Sequence, residues 1–164
     1  MIIFVKNKHT LQIDEFKFKC CVGKKGSTNN KIEGDGKTPR GTFEIGNLYF
    51  RKDRIKKPLT SLKCVEIRKD MGWCDDVSYP KKYNKLFKIK KEIKHEKLKR
   101  KDYKYDLLVP IKYNFKKPIS GRGSCIFIHL TKDYKPTAGC IALRKKDFLI
   151  LLRLIKKGSK IKIC

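Results

Sequence analysis

The chain has 164 residues, of which 43 are Lys or Arg and 16 are Asp or Glu, so its formal net charge is +27. Apolar residues make up 40% of the sequence, which is too many for a disordered chain and enough for one domain with its own core. No segment approaches the ~20 consecutive apolar residues that would span a bilayer. The first residues show neither the basic stretch nor the hydrophobic length of a secretory signal.

The spacing of apolar residues predicts a mostly β chain with one helix near its end. Segment 86–101, the most lysine-dense, is predicted to be a helix or a solvated arm, and segments 23–41 and 71–83 are predicted to be irregular loops. Residues 145–156 carry apolar side chains at helical spacing, and Gly158 is expected to stop that helix. Strands are predicted at 1–5, 11–22, 42–50, 64–67, 107–113, 124–130 and 160–163.

The positive charge has two interpretations. Thirty-five of the 43 basic residues are Lys, and they are spread over nearly the whole chain, which is typical of a lysine-biased, solvated surface. The alternative is a basic binding module for an anionic polymer such as nucleic acid, with tyrosines near the basic runs as stacking residues. No nucleic-acid-binding motif is visible, so we expect no nucleic-acid partner.

The seven cysteines predict no metal site. An odd number leaves at least one thiol unpaired, and no Cys-x-x-Cys pair is present to bind zinc. Six of the seven have no special local context. Cys140 differs, because it follows Gly139 and precedes an apolar, strand-like run.

A histidine and this cysteine form the most informative constellation. An apolar run ends at His129, ten residues separate it from Cys140, and Thr137-Ala138-Gly139 stands directly before the cysteine. A thiolate is the reactive form of cysteine, and a nearby imidazole is expected to lower the pKa of the thiol by several units. A buried His and a buried Cys on neighbouring core strands are the structural alternative, and the two residues alone do not decide between these interpretations.

The same segment resembles the catalytic signature of the L,D-transpeptidase (YkuD-like) family, in which a His precedes Ser/Thr-x-Gly-Cys. The resemblance extends over nearly the whole chain. It includes Val-Gly-Lys-Lys-Gly at 22–26, Glu-Gly-Asp-Gly-Lys-Thr-Pro-Arg-Gly-Thr-Phe at 33–43, Gly-Trp-Cys-Asp-Asp at 72–76, Tyr-Asn at 113–114 and Gly-Arg-Gly-Ser at 121–124. Two positions depart from the family pattern: Ala138 replaces a second His, and Ala142 replaces an Arg.

The resemblance implies a single catalytic domain, 1–164, with a β-sandwich-type fold and the C-terminal helix packed on it. It implies that Cys140 is the nucleophile, that His129 is its base, and that the backbone N–H groups of Gly139 and Cys140 are candidate donors to the oxyanion. Arg122 is expected to bind a substrate carboxylate, and Thr137 is expected to contact the substrate near the nucleophile. The implied activity is cross-linking of peptidoglycan stem peptides, with no metal and no organic cofactor.

Several alternatives stay open. Water in place of the acceptor amine would make the chain an L,D-carboxypeptidase, and loss of turnover would leave a non-catalytic binding module for wall polymer or nucleic acid. Carbapenem-type β-lactams are expected to acylate the cysteine, and the protein is expected to be a monomer without a transmembrane segment. The substrate places the protein in the cell envelope or periplasm, although no export signal is visible; the alternative is a cytoplasmic location.

Overall fold

The computed structural model describes all 164 residues and contains fifteen strands and one helix. The first eight strands are β1 (Ile2–Lys6), β2 (Thr10–Ile13), β3 (Phe16–Cys21), β4 (Ser27–Thr28), β5 (Thr38–Pro39), β6 (Gly41–Glu44), β7 (Leu48–Phe50) and β8 (Cys64–Glu66). The remaining elements are β9 (Met71–Cys74), β10 (Leu86–Lys88), β11 (His95–Lys97), β12 (Leu107–Pro110), β13 (Phe127–Leu130), β14 (Ile141–Leu143), helix α1 (Lys145–Leu154) and β15 (Lys160–Ile163).

Ten of the strands form one mixed sheet. Their order is β6-β15-β1-β2-β3-β14-β13-β12-β7-β8. Three pairs in this sheet are parallel: β1 pairs with β15, β13 pairs with β14, and β7 pairs with β8. A second sheet has the order β10-β9-β11, and β4 and β5 form a short two-stranded pair. The predicted fold class, mostly β with one helix, is confirmed.

Alternation of side chains along the strands buries one face of the large sheet. In β15 the two lysines are exposed and the two isoleucines are buried, and β1 alternates in the same way. Helix α1 turns its apolar side onto this face. The ten-residue helix is too short and too polar to cross a bilayer. The core that results contains 26 buried residues, including Phe148, Leu151 and Leu152 of the helix.

Two long predicted strands are each two strands in the structure. The sequence predicts one strand over 11–22, but β2 and β3 form an antiparallel hairpin whose turn contains Asp14 with a φ of 48°. Segment 42–50 divides into β6 and β7, which lie near opposite ends of the ten-stranded sheet. The break falls at 45–47, where Ile45 makes an isolated bridge to Ile111. The apolar alternation changes phase at Asp14-Glu15 and is interrupted at Gly46-Asn47, and the prediction overlooked both signals.

The prediction for segments 71–83 and 86–101 was wrong in part. The four residues of β9 are all buried, and this strand is the centre of the second sheet. Its neighbours β10 and β11 lie within the lysine-dense segment, whose apolar residues Phe87 and Ile93 pack on Cys74 while its lysines point outward. Gly158 also differs from expectation: α1 ends at Leu154, and Gly158, with a φ of 85°, lies in the turn that leads into β15.

Candidate active site

Strand pairing brings His129 and Cys140 onto one face of the large sheet. His129 of β13 is paired with Ala142 of β14, so these two side chains lie on the same face. Cys140 stands directly before β14 and packs with Phe127, whose side chain lies on the same face as His129 because it is two residues away on β13. Diagonal neighbours such as His129 and Cys140 are separated by roughly 7–8 Å at the backbone, which the imidazole and the thiol can bridge. Both side chains line the same cleft.

The Cys140 thiol is buried, and its sulfur has two backbone partners. Sγ donates to the carbonyl of Cys125 at 3.1 Å and accepts from the N–H of Phe127 at 3.4 Å. Burial raises the pKa of Cys140 to about 12, although the Phe127 N–H acts in the opposite direction. The expectation that a nearby imidazole lowers this pKa was therefore wrong. Removal of water from the sulfur outweighs any stabilisation of a thiolate, so the resting group is a thiol.

His129 is buried and neutral. Burial lowers the pKa of its imidazole to about 4, and the neighbouring cations Lys104 and Arg100 also favour the neutral ring. Nδ1 lies 3.0 Å from the carbonyl oxygen of Leu130, which can only accept a hydrogen bond. This contact assigns the proton to Nδ1 and leaves Nε2 with a free lone pair. The ring is therefore held in the tautomer that a general base requires.

A network of charged groups packs behind the His129 ring. The ring of Tyr105 meets it edge to face, with centroids 5.5 Å apart, and the Tyr105 hydroxyl donates to Glu96 Oε1 at 3.0 Å. Arg100 donates to the same oxygen at 2.8 Å and binds Asp102 through Nε and Nη2. Its guanidinium lies 4.9 Å from the centre of the Tyr105 ring. These contacts fix Tyr105, and through it the plane of the imidazole.

The backbone conformation at position 139 requires a glycine. Its φ of 148° lies in the region that disfavours other residues, and an added Cβ would stand 2.8 Å from the carbonyl oxygen of Lys37. The hydroxyl of Thr38, a fully buried residue, donates to the Gly139 carbonyl at 2.8 Å and accepts from the N–H of Gly23 at 2.9 Å. The Thr-Pro segment of the loop at 33–43 thus holds the backbone next to Cys140.

The two candidate oxyanion donors, the N–H groups of Gly139 and Cys140, differ in their hydrogen bonding. The N–H of Gly139 already donates to Thr137 Oγ1 at 3.1 Å, and the Thr137 hydroxyl in turn donates to the carbonyl of Cys140 at 2.6 Å. The N–H of Cys140 itself donates to no protein acceptor. Thr137 therefore positions the loop with a hydroxyl that is already engaged, and the available oxyanion donor is the Cys140 N–H.

The cleft over these residues has a volume of about 650 Å³ and a mixed charge. Its basic side chains are Lys31, Lys94, Arg100, Lys104 and Lys135, and its acidic side chains are Glu33, Asp75, Glu96 and Asp133. Arg122, expected to bind a substrate carboxylate, does not line the cleft. It is exposed, and its Nη1 donates to Asn30 Oδ1 at 2.8 Å. The structure contains no group of three or more His, Cys, Asp or Glu side chains that could hold a metal ion.

The second sheet also contributes acidic side chains to this cleft. Glu96 comes from β11 and Asp75 directly follows β9, both in segments that were expected to be irregular or solvated. Burial raises the pKa of Asp75, and its Oδ1 has no hydrogen-bond partner. The only available signal was the apolar spacing of Trp73, Phe87 and Ile93, which indicates that these segments pack on something.

The comparisons with known proteins identify the family of the chain. The family model for the YkuD L,D-transpeptidase catalytic domain matches residues 1–163. No curated protein matches the chain. Among solved structures, the chain is similar to the helical cell shape determining protein Pgp2 from Campylobacter jejuni, with a TM-score of 0.53 and 20% identity over 99% of this chain and 46% of that one. It also matches an L,D-transpeptidase from Mycobacterium smegmatis, with a TM-score of 0.40 and 11% identity over 99% of this chain and 57% of that one.

The chain thus spans about half the length of both solved proteins. At this identity, the likeness to Pgp2 shows a shared fold. The match to the family model shows the family as well, because it extends from the first strand through the His129–Cys140 segment to β15. The chain therefore belongs to the YkuD L,D-transpeptidase catalytic-domain family.

Proposed function

We propose that residues 1–164 form one catalytic domain that acts on peptidoglycan stem peptides as an L,D-transpeptidase, through an acyl-enzyme on Cys140. The observation that carries the proposal is the placement of Cys140 and His129 as diagonal neighbours on one face of the sheet, inside one cleft. Family membership supports the reaction class. The name of Pgp2, a cell shape determining protein, supports a substrate in the cell wall.

The first half of the reaction makes the acyl-enzyme. Cys140 Sγ attacks the carbonyl carbon at the L-centre of the third residue of the donor stem, and His129 Nε2 takes the thiol proton. The negative oxygen of the tetrahedral intermediate accepts a hydrogen bond from the free N–H of Cys140. The C–N bond to the terminal D-alanine then breaks, and its amine takes the proton from the imidazolium.

The acid–base state of the resting site determines how this step proceeds. With the pKa of the thiol at about 12 and that of the imidazole at about 4, both groups are neutral at pH 7. The resting site therefore contains no stable thiolate–imidazolium pair before the substrate binds. Proton transfer accompanies carbon–sulfur bond formation, so His129 acts as a general base during attack.

The second half of the reaction resolves the acyl-enzyme. An amine from a second stem peptide attacks the thioester carbonyl, His129 Nε2 takes a proton from that amine, and the thiol leaves with a proton. The product is a cross-link between two stems. Water in place of the amine would give a trimmed stem and L,D-carboxypeptidase activity. Since the substrate polymer lies outside the cytoplasmic membrane, the proposal places the protein in the cell envelope.

Intact-protein mass spectrometry tests the proposal. The purified protein is incubated with a carbapenem and, separately, with a disaccharide-tetrapeptide, beside the variants Cys140→Ala, His129→Ala and Cys164→Ala. The last is a matched control, because Cys164 is a free, exposed thiol outside the cleft. We expect an adduct on the wild type and on Cys164→Ala, none on Cys140→Ala, and slow formation on His129→Ala.

The products separate the remaining possibilities. Release of D-alanine with a dimeric product means transpeptidation, and release without a dimer means carboxypeptidation. If the folded wild type forms no adduct and releases no D-alanine, the enzymatic proposal fails and a non-catalytic binding module takes its place. An adduct that persists in Cys140→Ala would contradict the assignment of the nucleophile.

A further inference from the structure

The outer face of the large sheet carries a regular array of lysines. Lys6 on β1, Lys17 and Lys19 on β3, and Lys160 and Lys162 on β15 are all exposed, and we call this set the lysine face. The side chains that point the other way, into the core, are those of Val5, Phe18, Cys20, Ile161 and Ile163. The strands β15, β1, β2 and β3 are adjacent in the sheet, so the five ammonium groups share one continuous surface.

The strand register defines the geometry of this face. One row across the sheet runs from Lys162 through Phe4 and Gln12 to Lys17. The next row runs from Lys6 through Thr10 to Lys19. With strands about 4.8 Å apart, the lysines of the first row are roughly 14 Å apart and those of the second roughly 10 Å apart. The face is therefore a broad plane of separated cations.

Few acidic groups offset this charge. Glu44, on the neighbouring strand β6, is paired with Lys160 and bound by Lys112 at 3.0 Å, so it offsets charge only at that edge. Asp14 and Glu15 are exposed, but they stand in the β2–β3 turn at one rim. Between the lysines lie apolar side chains, since Ile2 is 42% exposed and Phe4 is partly exposed. The result is a flat cationic surface with apolar groups among its charges.

We propose that the lysine face docks the protein on an anionic phospholipid membrane. Lysines on long, flexible stems suit a plane of mobile headgroups, and exposed Ile2 suits the interfacial layer. A nucleic-acid strand fits less well, because the face contains no groove and no arginine. This docking goes beyond the proposed catalytic function and does not depend on it.

The docked orientation leaves the cleft accessible. Lys19 and Cys21 lie on the same face of β3. Cys21 is paired with Ala142 on β14, and Ala142 is paired with His129 on β13, so the outer face continues to His129. The cleft is thus on the same side of the sheet as the lysines, four strand steps beyond β1. At roughly 20–25° of twist per step, the sheet turns by about 80–100° over that distance. The cleft then opens along the bilayer surface instead of into it.

Vesicle sedimentation tests the docking. Vesicles with about 30% anionic phospholipid and purely zwitterionic vesicles are compared at ~50 mM and ~300 mM salt. The face variant is Lys6→Gln/Lys17→Gln/Lys160→Gln/Lys162→Gln, which spares Lys19 because that lysine lies over Tyr134 in the loop leading to Cys140. The matched control removes four exposed lysines of the second sheet and its turn, Lys88, Lys90, Lys91 and Lys97, by the same substitution.

The expected result is specific to the face. A lysine near an anionic bilayer strengthens binding about fivefold, so the face variant is expected to bind several hundredfold more weakly, on the order of 10²–10³. The control is expected to lose less than about fivefold, and high salt is expected to release the wild type. The face variant keeps its reaction with soluble carbapenem, so failure of docking is distinguishable from failure of catalysis.

Three results would overturn the proposal. One is equal binding to anionic and zwitterionic vesicles. Another is an equal loss of vesicle binding in the face variant and the control, which would mean that net charge alone explains the binding. The third is tighter, lysine-face-dependent binding to a single-stranded DNA oligonucleotide than to the anionic vesicles, which would identify a nucleic-acid surface.

Discussion

Thr38 offers the sharpest test of how the fold holds the nucleophile. Replacing it with Val keeps the shape of the side chain and removes one hydroxyl, which accepts from the Gly23 N–H and donates to the Gly139 carbonyl. An unsatisfied buried polar group costs about 1–3 kcal/mol. With two such groups left, we expect Thr38→Val to lower the free energy of unfolding by about 2–4 kcal/mol, which corresponds to a fall in Tm on the order of 10 °C.

Urea unfolding, followed by the fluorescence of the single, buried Trp73, measures this loss. Thr38→Ser is the matched control, because it keeps both hydrogen bonds and removes only a methyl group, at a cost of about 1 kcal/mol. The rate of carbapenem acylation is expected to fall further in Thr38→Val than in Thr38→Ser. A Thr38→Val protein within about 0.5 kcal/mol of the wild type, or a serine variant as unstable as the valine variant, would refute the reasoning.

The remaining predictions concern Cys140, His129 and Gly139. Because the folded-state pKa of His129 is depressed to about 4 from an ordinary 6.5, its contribution to stability is present above pH 6.5 and is lost as the pH falls towards 4. Denaturation curves should therefore lose about 3 kcal/mol more over that interval in the wild type than in His129→Gln, and parallel losses would contradict a buried neutral ring. With a pKa of about 12, Cys140 is about 10⁻⁵ thiolate at pH 7, so its alkylation by iodoacetamide should be about 10³-fold slower than that of an ordinary thiol and should still rise tenfold per unit at pH 10. Peptide mass spectrometry with exposed Cys164 as internal reference measures this, and a rate that levels off near pH 8 would count against it. Gly139→Ala should reduce acylation by at least ~10²-fold, since its Cβ would meet the Lys37 carbonyl oxygen and displace the backbone beside the sulfur; unchanged acylation kinetics would exclude that clash.

How much of the fold can be predicted from the sequence depends on where the chain bends. The strand before His129 and the terminal helix have strong apolar patterns and were predicted correctly. The turn at Asp14 and the break at 45–47 were missed because each is marked only by two adjacent residues that interrupt the apolar alternation, within a segment that otherwise favours a strand. The second sheet was missed for another reason: its strands are three or four residues long, and their many lysines disguise the few buried side chains that pair them.

Only the part of the candidate site that lies close together in sequence could be predicted from the sequence. Cys140 and His129 lie within one short segment, and strand register then brings them together. Thr38 and Glu96 could be placed beside them only by contacts across the fold, for which one sequence offers no rule. The predicted direction of the Cys140 pKa shift was wrong for the same reason. It depends on how completely the surrounding chain excludes water, and that is a property of the assembled structure.

The position of β15 in the sheet has a consequence for the order of folding. This strand lies between β1 and β6 and pairs with both. These two early strands are therefore joined in the sheet only after residues 160–163 have been added between them. A nascent chain shorter than that would leave the edges of both strands open, along with the core positions of Ile161 and Ile163. Contacts so distant in sequence favour slow, late closure of the sheet. A ribosome-bound chain is thus expected to stay sensitive to protease until β15 emerges.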